Sequence, residues 1–405
     1  MTLSEFDFKH KNRSKILVVG PIPPNFGSKN PGGVSAHTWL HARLLAERGY
    51  TVTLLALGSY FGKSFEKAGI SVIGLPRFSL RWALWAGFTA ISKTIQLQDF
   101  RKSAIVNRFV TKYKLKGLNL EKFDVIHVQS IHGQFQAVVD IELRASKILT
   151  VHSYYDVLSS SGRAKERLIT KHRLAKSWFD QVIHVSQTDQ NKSTALGLSD
   201  VNRMVIHNPV EVSNPASPEC VEQDIDVLFV GGLTPRKRPE LVLQAVRNLG
   251  FEVSCTVVGS GPLLQQLRSS YGDTAVFCGF VNHSEVLKLM ARSRVLCVPS
   301  VSESFGLVYV EAALSGAAVI GYRDTISEIS DAAGLSEGER LYFVGFDPNE
   351  SDPTVMVNAL KSVLSVDGVH QQKSSSAIYS KLFREFSGDA YIQKILDCYG
   401  LGVNE

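Results

Sequence analysis

Little in this 405-residue sequence points to a secreted, membrane-spanning or metal-stapled protein. Its five cysteines, Cys220, Cys255, Cys278, Cys297 and Cys398, stand singly, with no CxxC pair. A disulfide framework or a structural zinc is therefore not expected, and a cytoplasmic location is. Cys255, Cys278 and Cys297 sit inside apolar runs and read as small core residues. A spanning helix needs about 20 apolar residues. The longest strongly apolar run here, 80–91, is shorter and holds Arg81. The opening MTLSEFDFKHKNRSK has no apolar core leading to a small-residue cleavage site, so no secretory signal is expected. Neither sign of charge dominates: the net charge is +6, with 20% charged and 44% hydrophobic residues. Wholesale disorder is thereby excluded.

What is present is a rhythm. Short β-branched runs, each followed by a helical stretch, fall at 16–20, 51–57, 125–130, 147–153, 181–186 and 204–209. A second set falls at 226–232, 252–259, 275–280, 294–300, 317–322 and 341–345. The runs are apolar on both faces, as strands covered by helices on each side must be. Strands alternating with helices imply parallel sheets, and twelve strands in two sets imply two doubly wound Rossmann-like α/β domains. The break falls in VSNPASPECVEQD. The expected division is a first domain over 1–211, a linker over 212–225, a second domain over 226–375, and closing helices over 376–405, which are candidates to pack back on the first domain. Open α/β sheets bind ligands beyond the carboxyl ends of their strands, so the active site is expected in the cleft where two such domains face each other.

Several motifs fall at those strand ends. Gly32 and Gly33 precede a helix beginning near Val34 and would let an anion reach backbone N–H groups; a flexible glycine loop explains them equally well. DVLFVGGLTPRKRPELVLQAV is a strand, a Gly231-Gly232 turn, the cations Arg236, Lys237 and Arg238, and a helix from Pro239. Cations there suit a diphosphate, against the alternative of a solvated basic turn. In VVGSGPLLQQL, Gly259 and Gly261 form a tight turn with Pro262 opening a helix, which serves phosphate approach or turn geometry alike. In CVPSVSESFGLVYVEAALSG, Glu303 lies in the loop, Gly306 opens a helix and Glu311 lies on it. The N–H groups of Ser304, Phe305, Gly306 and Leu307 can bind a phosphate oxygen. The two acids are either sugar-hydroxyl ligands or helix-capping carboxylates.

The order of these motifs resembles the retaining glycosyltransferases of family 4, which have the GT-B fold. The resemblance covers nearly the whole chain and is densest over 226–330. ESFGLVYVE matches the family's E-x7-E element with Glu303 and Glu311, and VGGLTPRKR matches its VGRLxxxKG opening. The phosphate lysine of that pattern falls on Lys237, while its arginine position holds Gly232; Arg236 or Arg238 is the candidate replacement. TVHSYYDV places His152 where the family has a histidine facing the donor sugar, and GFVNHSEVLKLMARS places Val281 where backbone holds the nucleobase. Ser186 and Asn208 fall at the cleft edge, and TISEIS retains only Glu328 of the GGxPE element.

The resemblance implies transfer of a hexose-type sugar, with retention, from a UDP- or GDP-linked donor to a glycan or lipid-linked glycan, in the manner of bacterial cell-surface polysaccharide synthesis. Glu311 would bind the donor ribose, and Glu303 would contact the hexose. Lys237 would stabilise the departing diphosphate, and His152 would orient sugar hydroxyls. No metal cofactor is expected: Asp224-Ile-Asp226 lies in the linker and at a strand's start, away from the carboxyl ends. His127, His132 and His184 lack ligand-like spacing and read as packing residues.

A dinucleotide oxidoreductase would need GxGxxG, and VVGSGPLL has Leu264 at the third position. A nucleotide-sugar epimerase of similar architecture, or transfer to a soluble small molecule, is the alternative. Between Arg77 and Lys116 nine basic residues face one acid, Asp99, and are interleaved with Trp82, Trp85, Phe88, Phe100, Phe109 and Tyr113. This segment suits an anionic membrane surface, with helices bearing solvated basic faces as the alternative. The resemblance tips the expectation to peripheral binding at the inner membrane, because many such transferases extend lipid-linked glycans at the cytoplasmic leaflet. No nucleic-acid reader motif accompanies it. Peripheral membrane binding predicts co-sedimentation with anionic vesicles at low salt and release at high salt; equal failure to bind anionic and neutral vesicles would remove it.

Overall fold

The computed structural model describes residues 14–23, 33–57, 64–74, 118–129, 144–198, 202–211, 221–250, 252–365 and 368–402. The segment 77–116, His132, Gly32 and Cys220 lie outside them. Two compact units result. One comprises Met1–Val185, Asp189–Ile206 and Ile392–Glu405, the other Ser186–Thr188 and His207–Tyr391.

The first unit holds an eight-stranded sheet: β1 Lys15–Pro21, β2 Thr51–Leu57, β3 Ser64–Lys67, β4 Ile70–Gly74, β5 Val125–Val128, β6 Ser146–Val151, β7 Gln181–His184 and β8 Arg203–Val205. The order is β3-β4-β2-β1-β5-β6-β7-β8. Its strands pair in parallel except at β3, which pairs antiparallel with β4. The second unit holds six parallel strands: β9 Ile225–Val230, β10 Cys255–Val258, β11 Val276–Gly279, β12 Ser293–Val298, β13 Ala318–Tyr322 and β14 Phe343–Phe346. Their order is β11-β10-β9-β12-β13-β14. In sequence order that is 3-2-1-4-5-6, the doubly wound arrangement whose reversal creates a crevice beyond the first and fourth strands. Here these strands are β9 and β12. The corresponding reversal in the first unit is at β1 and β5.

Three expectations are corrected. The described residues hold fourteen strands, the additional pair being the β3–β4 hairpin. Its two-residue turn, Ala68 and Gly69, has φ of 51° and 72°, a primed-turn geometry carried by Ala-Gly instead of Asn-Gly. The chain passes into the second unit after Ile206, before the expected boundary at 211, because Val210 N already bonds Phe386 O (2.9 Å). The closing helices divide between the units: helix Gly368–Phe386 packs on helix Leu307–Leu314 in the second unit, and only 392–402 belong to the first. Separately, Pro262 lies in a turn, and the helix after β10 begins at Leu264.

The return of the chain to the first unit is closed by histidines. His37 and His41 come from helix Gly33–Glu47, His127 from β5 and His152 from just beyond β6. His41 and His127 lie with ring centroids 4.7 Å apart, as do His37 and His152. Tyr399 reaches both His41 Nε2 (3.0 Å) and His127 Nδ1 (2.7 Å), and His127 Nε2 meets Thr150 Oγ1 at 2.7 Å. One arrangement serves these three bonds with neutral rings: His127 donates to Thr150 and accepts from Tyr399, whose oxygen accepts from His41. Burial pushes His37 down to about 4 and, with the His37 charge, His127 to about 3; His41 and His152 are held well below 6.5 for the same reasons.

These imidazoles bind protons more weakly folded than unfolded. Their contribution is therefore complete above the unfolded value of 6.5 and is lost as pH falls toward the folded values near 4 and 3. Melting temperature should fall steeply over that interval. Tyr399→Phe, which strips two buried rings of their shared partner, should cost about 1–3 kcal/mol at neutral pH. A denaturant melt unchanged by Tyr399→Phe would contradict the closure.

Candidate active site

At the second unit's strand reversal, two loops are stitched together. After β9 the chain makes a 3₁₀ turn, Pro235–Lys237, and after β12 it runs through Pro299–Phe305 into helix Leu307–Leu314. Val301 N donates to Arg236 O (2.9 Å), and Arg236 Nη1 donates to Ser302 O (2.6 Å).

Between these loops sits the Glu303 carboxylate, 9% exposed. Its Oε1 accepts from Lys237 Nζ and from Ser300 Oγ (2.6 Å), and its Oε2 lies 3.6 Å from Arg236 Nη1. Burial alone would raise the carboxyl pKa. The Lys237 charge and hydrogen bond, with Ser300 and Arg236, outweigh it, and Glu303 is held below its ordinary value as an anion. Of the two arginines proposed to stand in at Gly232, Arg236 is thus the one beside the carboxylate. Arg238 turns elsewhere, donating to the Asp347 and Pro348 carbonyls (3.3 and 3.4 Å) over the Phe346 ring. At Gly232 an added Cβ would meet no atom nearer than 3.9 Å.

Gly306 caps the helix with φ of 71°, and a Cβ there would lie 2.5 Å from the Tyr309 ring. Only glycine meets both demands. The Tyr309 hydroxyl donates to Val298 O (2.8 Å) and accepts from Tyr322 N (3.2 Å), tying the helix's first turn to the ends of β12 and β13. Tyr309 N donates to Gly306 O (2.9 Å), and the N–H groups ahead of it in that turn lack intrahelical acceptors. Phe305 is buried, its ring stacked on His207 at 5.1 Å; Ser304 and Leu307 flank it. Glu311 lies one turn inside the helix, and its Oε1 meets His283 Nε2 at 2.9 Å.

The remaining predicted residues fall as follows. Gly259 and Gly261 line the β10 turn, where a Cβ would stand 1.9 Å from Gly231 O and 2.5 Å from Leu233 O respectively, so backbone packing accounts for both. Val281 precedes Asn282, whose Oδ1 caps helix His283–Ala291 by accepting from Glu285 N (2.9 Å). Gly33 begins its helix with open space around it. His152 belongs to the first unit, where its Nε2 meets Gln129 Oε1 at 3.1 Å. Ser186 and Asn208 are buried. Glu328 accepts from the backbone of Gln187 and Thr188, from Thr188 Oγ1 (2.9 Å) and from His207 Nε2 (3.0 Å). Asp224 and Asp226 are engaged by Arg292 (Nε to Oδ1, 2.8 Å) and Arg294 (3.0 Å). A cavity of about 590 Å³ along β14 and helix Pro353–Leu364 shares no residue with this site.

Ser300, His283 and His207 were not anticipated. Ser300 had a usable signal, since it stands three residues before Glu303 and directly after the strand-ending Pro299.

Two parallel doubly wound units, the second carrying an anionic carboxylate clasped by a lysine at its strand reversal, define a GT-B glycosyltransferase. Residues 31–214 match the profile of Glycosyltransferase Family 4, and residues 213–363 that of Glycosyl transferases group 1. The chain belongs to the family 4 glycosyltransferases. It is 25% identical over 380 residues to the phosphatidyl-myo-inositol mannosyltransferase of Mycobacterium tuberculosis, covering 87% of this chain and 89% of that one. In fold it is similar to sucrose-phosphate synthase of Thermosynechococcus elongatus (TM-score 0.71, 19% identity, 96% and 98% of the two chains). It is also similar to Anabaena HepE in complex with UDP and glucose (TM-score 0.64, 18% identity, 96% and 100%). Among the described residues no helix is long and apolar enough to cross a membrane.

Proposed function

We propose that this glycosyltransferase is a retaining hexosyltransferase, taking its sugar from a nucleoside diphosphate donor and delivering it to a glycan or lipid-linked glycan in cell-surface polysaccharide synthesis. The observation that carries the reading is the Glu303 anion held between Lys237, Ser300 and Arg236 at the mouth of helix Leu307–Leu314. A cation and a helix N-terminus suit the diphosphate, and a carboxylate beside them suits a sugar hydroxyl and the positive charge developing at the anomeric carbon. Glu311 then takes the ribose hydroxyls, Val281 lies by the base, and His152 is assigned the donor sugar's hydroxyls. The bond from the anomeric carbon to the diphosphate oxygen breaks, and the acceptor oxygen bonds the same face. Its proton passes to the leaving phosphate, so no carboxylate nucleophile is required.

A UDP-linked donor is favoured over a GDP-linked one by the likeness to a protein crystallised with UDP and glucose. The relative that bears a phosphatidyl-inositol name favours a lipid-linked acceptor over a soluble one. An epimerase is not favoured, since both matching profiles are of transferases. Metal-independent action is part of the proposal: Lys237 and Arg236 supply positive charge, and the Asp-x-Asp is occupied by arginines.

Nucleoside diphosphate release from a panel of UDP- and GDP-sugars, with a lipid-linked glycan supplied and EDTA present, tests the reading. One donor should turn over at a rate unaffected by EDTA, and Lys237→Ala should lower it by about 10²–10³. Turnover that EDTA abolishes and manganese restores would refute metal independence. Turnover of none of the donors would refute the donor class.

A further inference from the structure

His283 has no role in the reading above, yet among the described residues its imidazole bonds the Glu311 carboxylate, Nε2 to Oε1 at 2.9 Å. It is the first residue of helix His283–Ala291, directly after the Asn282 cap, and this helix packs on helix Leu307–Leu314, which carries Glu311. The cap fixes where the imidazole emerges: Asn282 Oδ1 accepts from Glu285 N at 2.9 Å and from Ser284 Oγ at 2.6 Å. His283 is 51% exposed and Glu311 only 17%. The histidine thus stands at the solvent side of a more sheltered acid, occupying one of its two oxygens.

We infer that His283 is a positioning residue for the nucleotide part of the donor. It holds Glu311 by Oε1, leaves Oε2 for the ribose hydroxyls, and offsets with its own positive charge the repulsion between that carboxylate and an incoming diphosphate. The inference rests on the ribose role proposed for Glu311. A carboxylate placed near a diphosphate costs binding energy unless a cation stands by it; Lys237 does this for Glu303, and His283 does it for Glu311. Unlike the lysine, the histidine can lose its charge near neutrality.

The groups facing His283 favour the charged form. The hydrogen bond to Glu311 comes first, burial opposes it, and the charges of Glu311 and Glu211 add, so that His283 is held above 6.5. The other strands against this helix, β9 and β12, bring Asp226 and Arg294, which pair with each other at 3.0 Å. On the helix itself Glu285 pairs with Lys288 (3.3 Å). Because the folded value is raised, the charge is fully present below 6.5 and disappears as pH rises through the higher folded value. Donor binding should therefore weaken with rising pH.

Calorimetric binding of UDP-glucose, whose diphosphodiester does not titrate between about pH 5.5 and 8.5, reads this directly. The wild-type dissociation constant should rise on the order of fivefold across that range. His283→Gln, which keeps an N–H donor but no charge, should flatten the pH dependence, and His283→Ala should flatten it and bind weakly even at the acid end. Nuclear magnetic resonance of the His283 ring adds a readout independent of donor: its pKa should fall in Glu311→Gln. Affinities of both His283 variants matching wild type at every pH, while Glu311→Ala loses binding, would overturn the inference and leave the ribose assignment standing. Wild-type binding by Glu311→Ala would instead sink the ribose assignment, and the inference with it.

Discussion

A carboxylate taken out of water and left alone would protonate or disrupt the fold around it. Glu303 does neither because three groups from two loops converge on it: Lys237 and Arg236 from the turn after β9, and Ser300 from the end of β12. That convergence depends on β9 and β12 being neighbours in the sheet, which is the reversal point of a doubly wound domain. Other features of the site serve the same loop. Gly306 turns the chain into a helix where a side chain would strike Tyr309, and Tyr309 anchors that helix to the ends of two strands. The pair also anticipates chemistry. Lys237 without a ligand is satisfied by Glu303, and a diphosphate would offer it a second anion.

The first unit meets the problem of buried titratable groups in the opposite way. Where Glu303 is kept charged by a cation, His37, His41, His127 and His152 are kept neutral by burial and by one another, with Tyr399 closing their hydrogen bonds. A fold held by a neutral cluster fails on acidification, whereas the ion pair of the second unit persists until its carboxylate protonates.

The six strands of the second unit were legible because each is a short apolar run, most of them ending in glycine, proline or serine, and the E-x7-E acids and Lys237 were legible because motif spacing marks them. The β3–β4 hairpin was not, since SFEK is polar and its turn is Ala-Gly, without the usual asparagine signal. The separation of Gly368–Phe386 from 392–402 was invisible for a different reason: both stretches are amphipathic, and amphipathicity does not say which unit covers the apolar face. Choosing between Arg236 and Arg238 needed coordinates too. Arg238 adopts φ of 56° and points to carbonyls beyond β14, a consequence of the turn's handedness and not of its composition. His283 escaped notice because a lone histidine beside a helix cap carries no periodic signal; only its 2.9 Å contact with Glu311 gives it meaning.

Under the proposed function, Glu303 and a donor diphosphate would compete for Lys237, and Glu303 would be needed for transfer. Measuring UDP affinity and turnover side by side in Glu303→Gln separates these two effects. UDP binding should tighten, because the lysine is released from its anion, and turnover should fall by about 10²-fold or more. Unchanged turnover, or UDP binding that weakens instead of tightening, would contradict a Glu303 that competes for Lys237 and serves transfer.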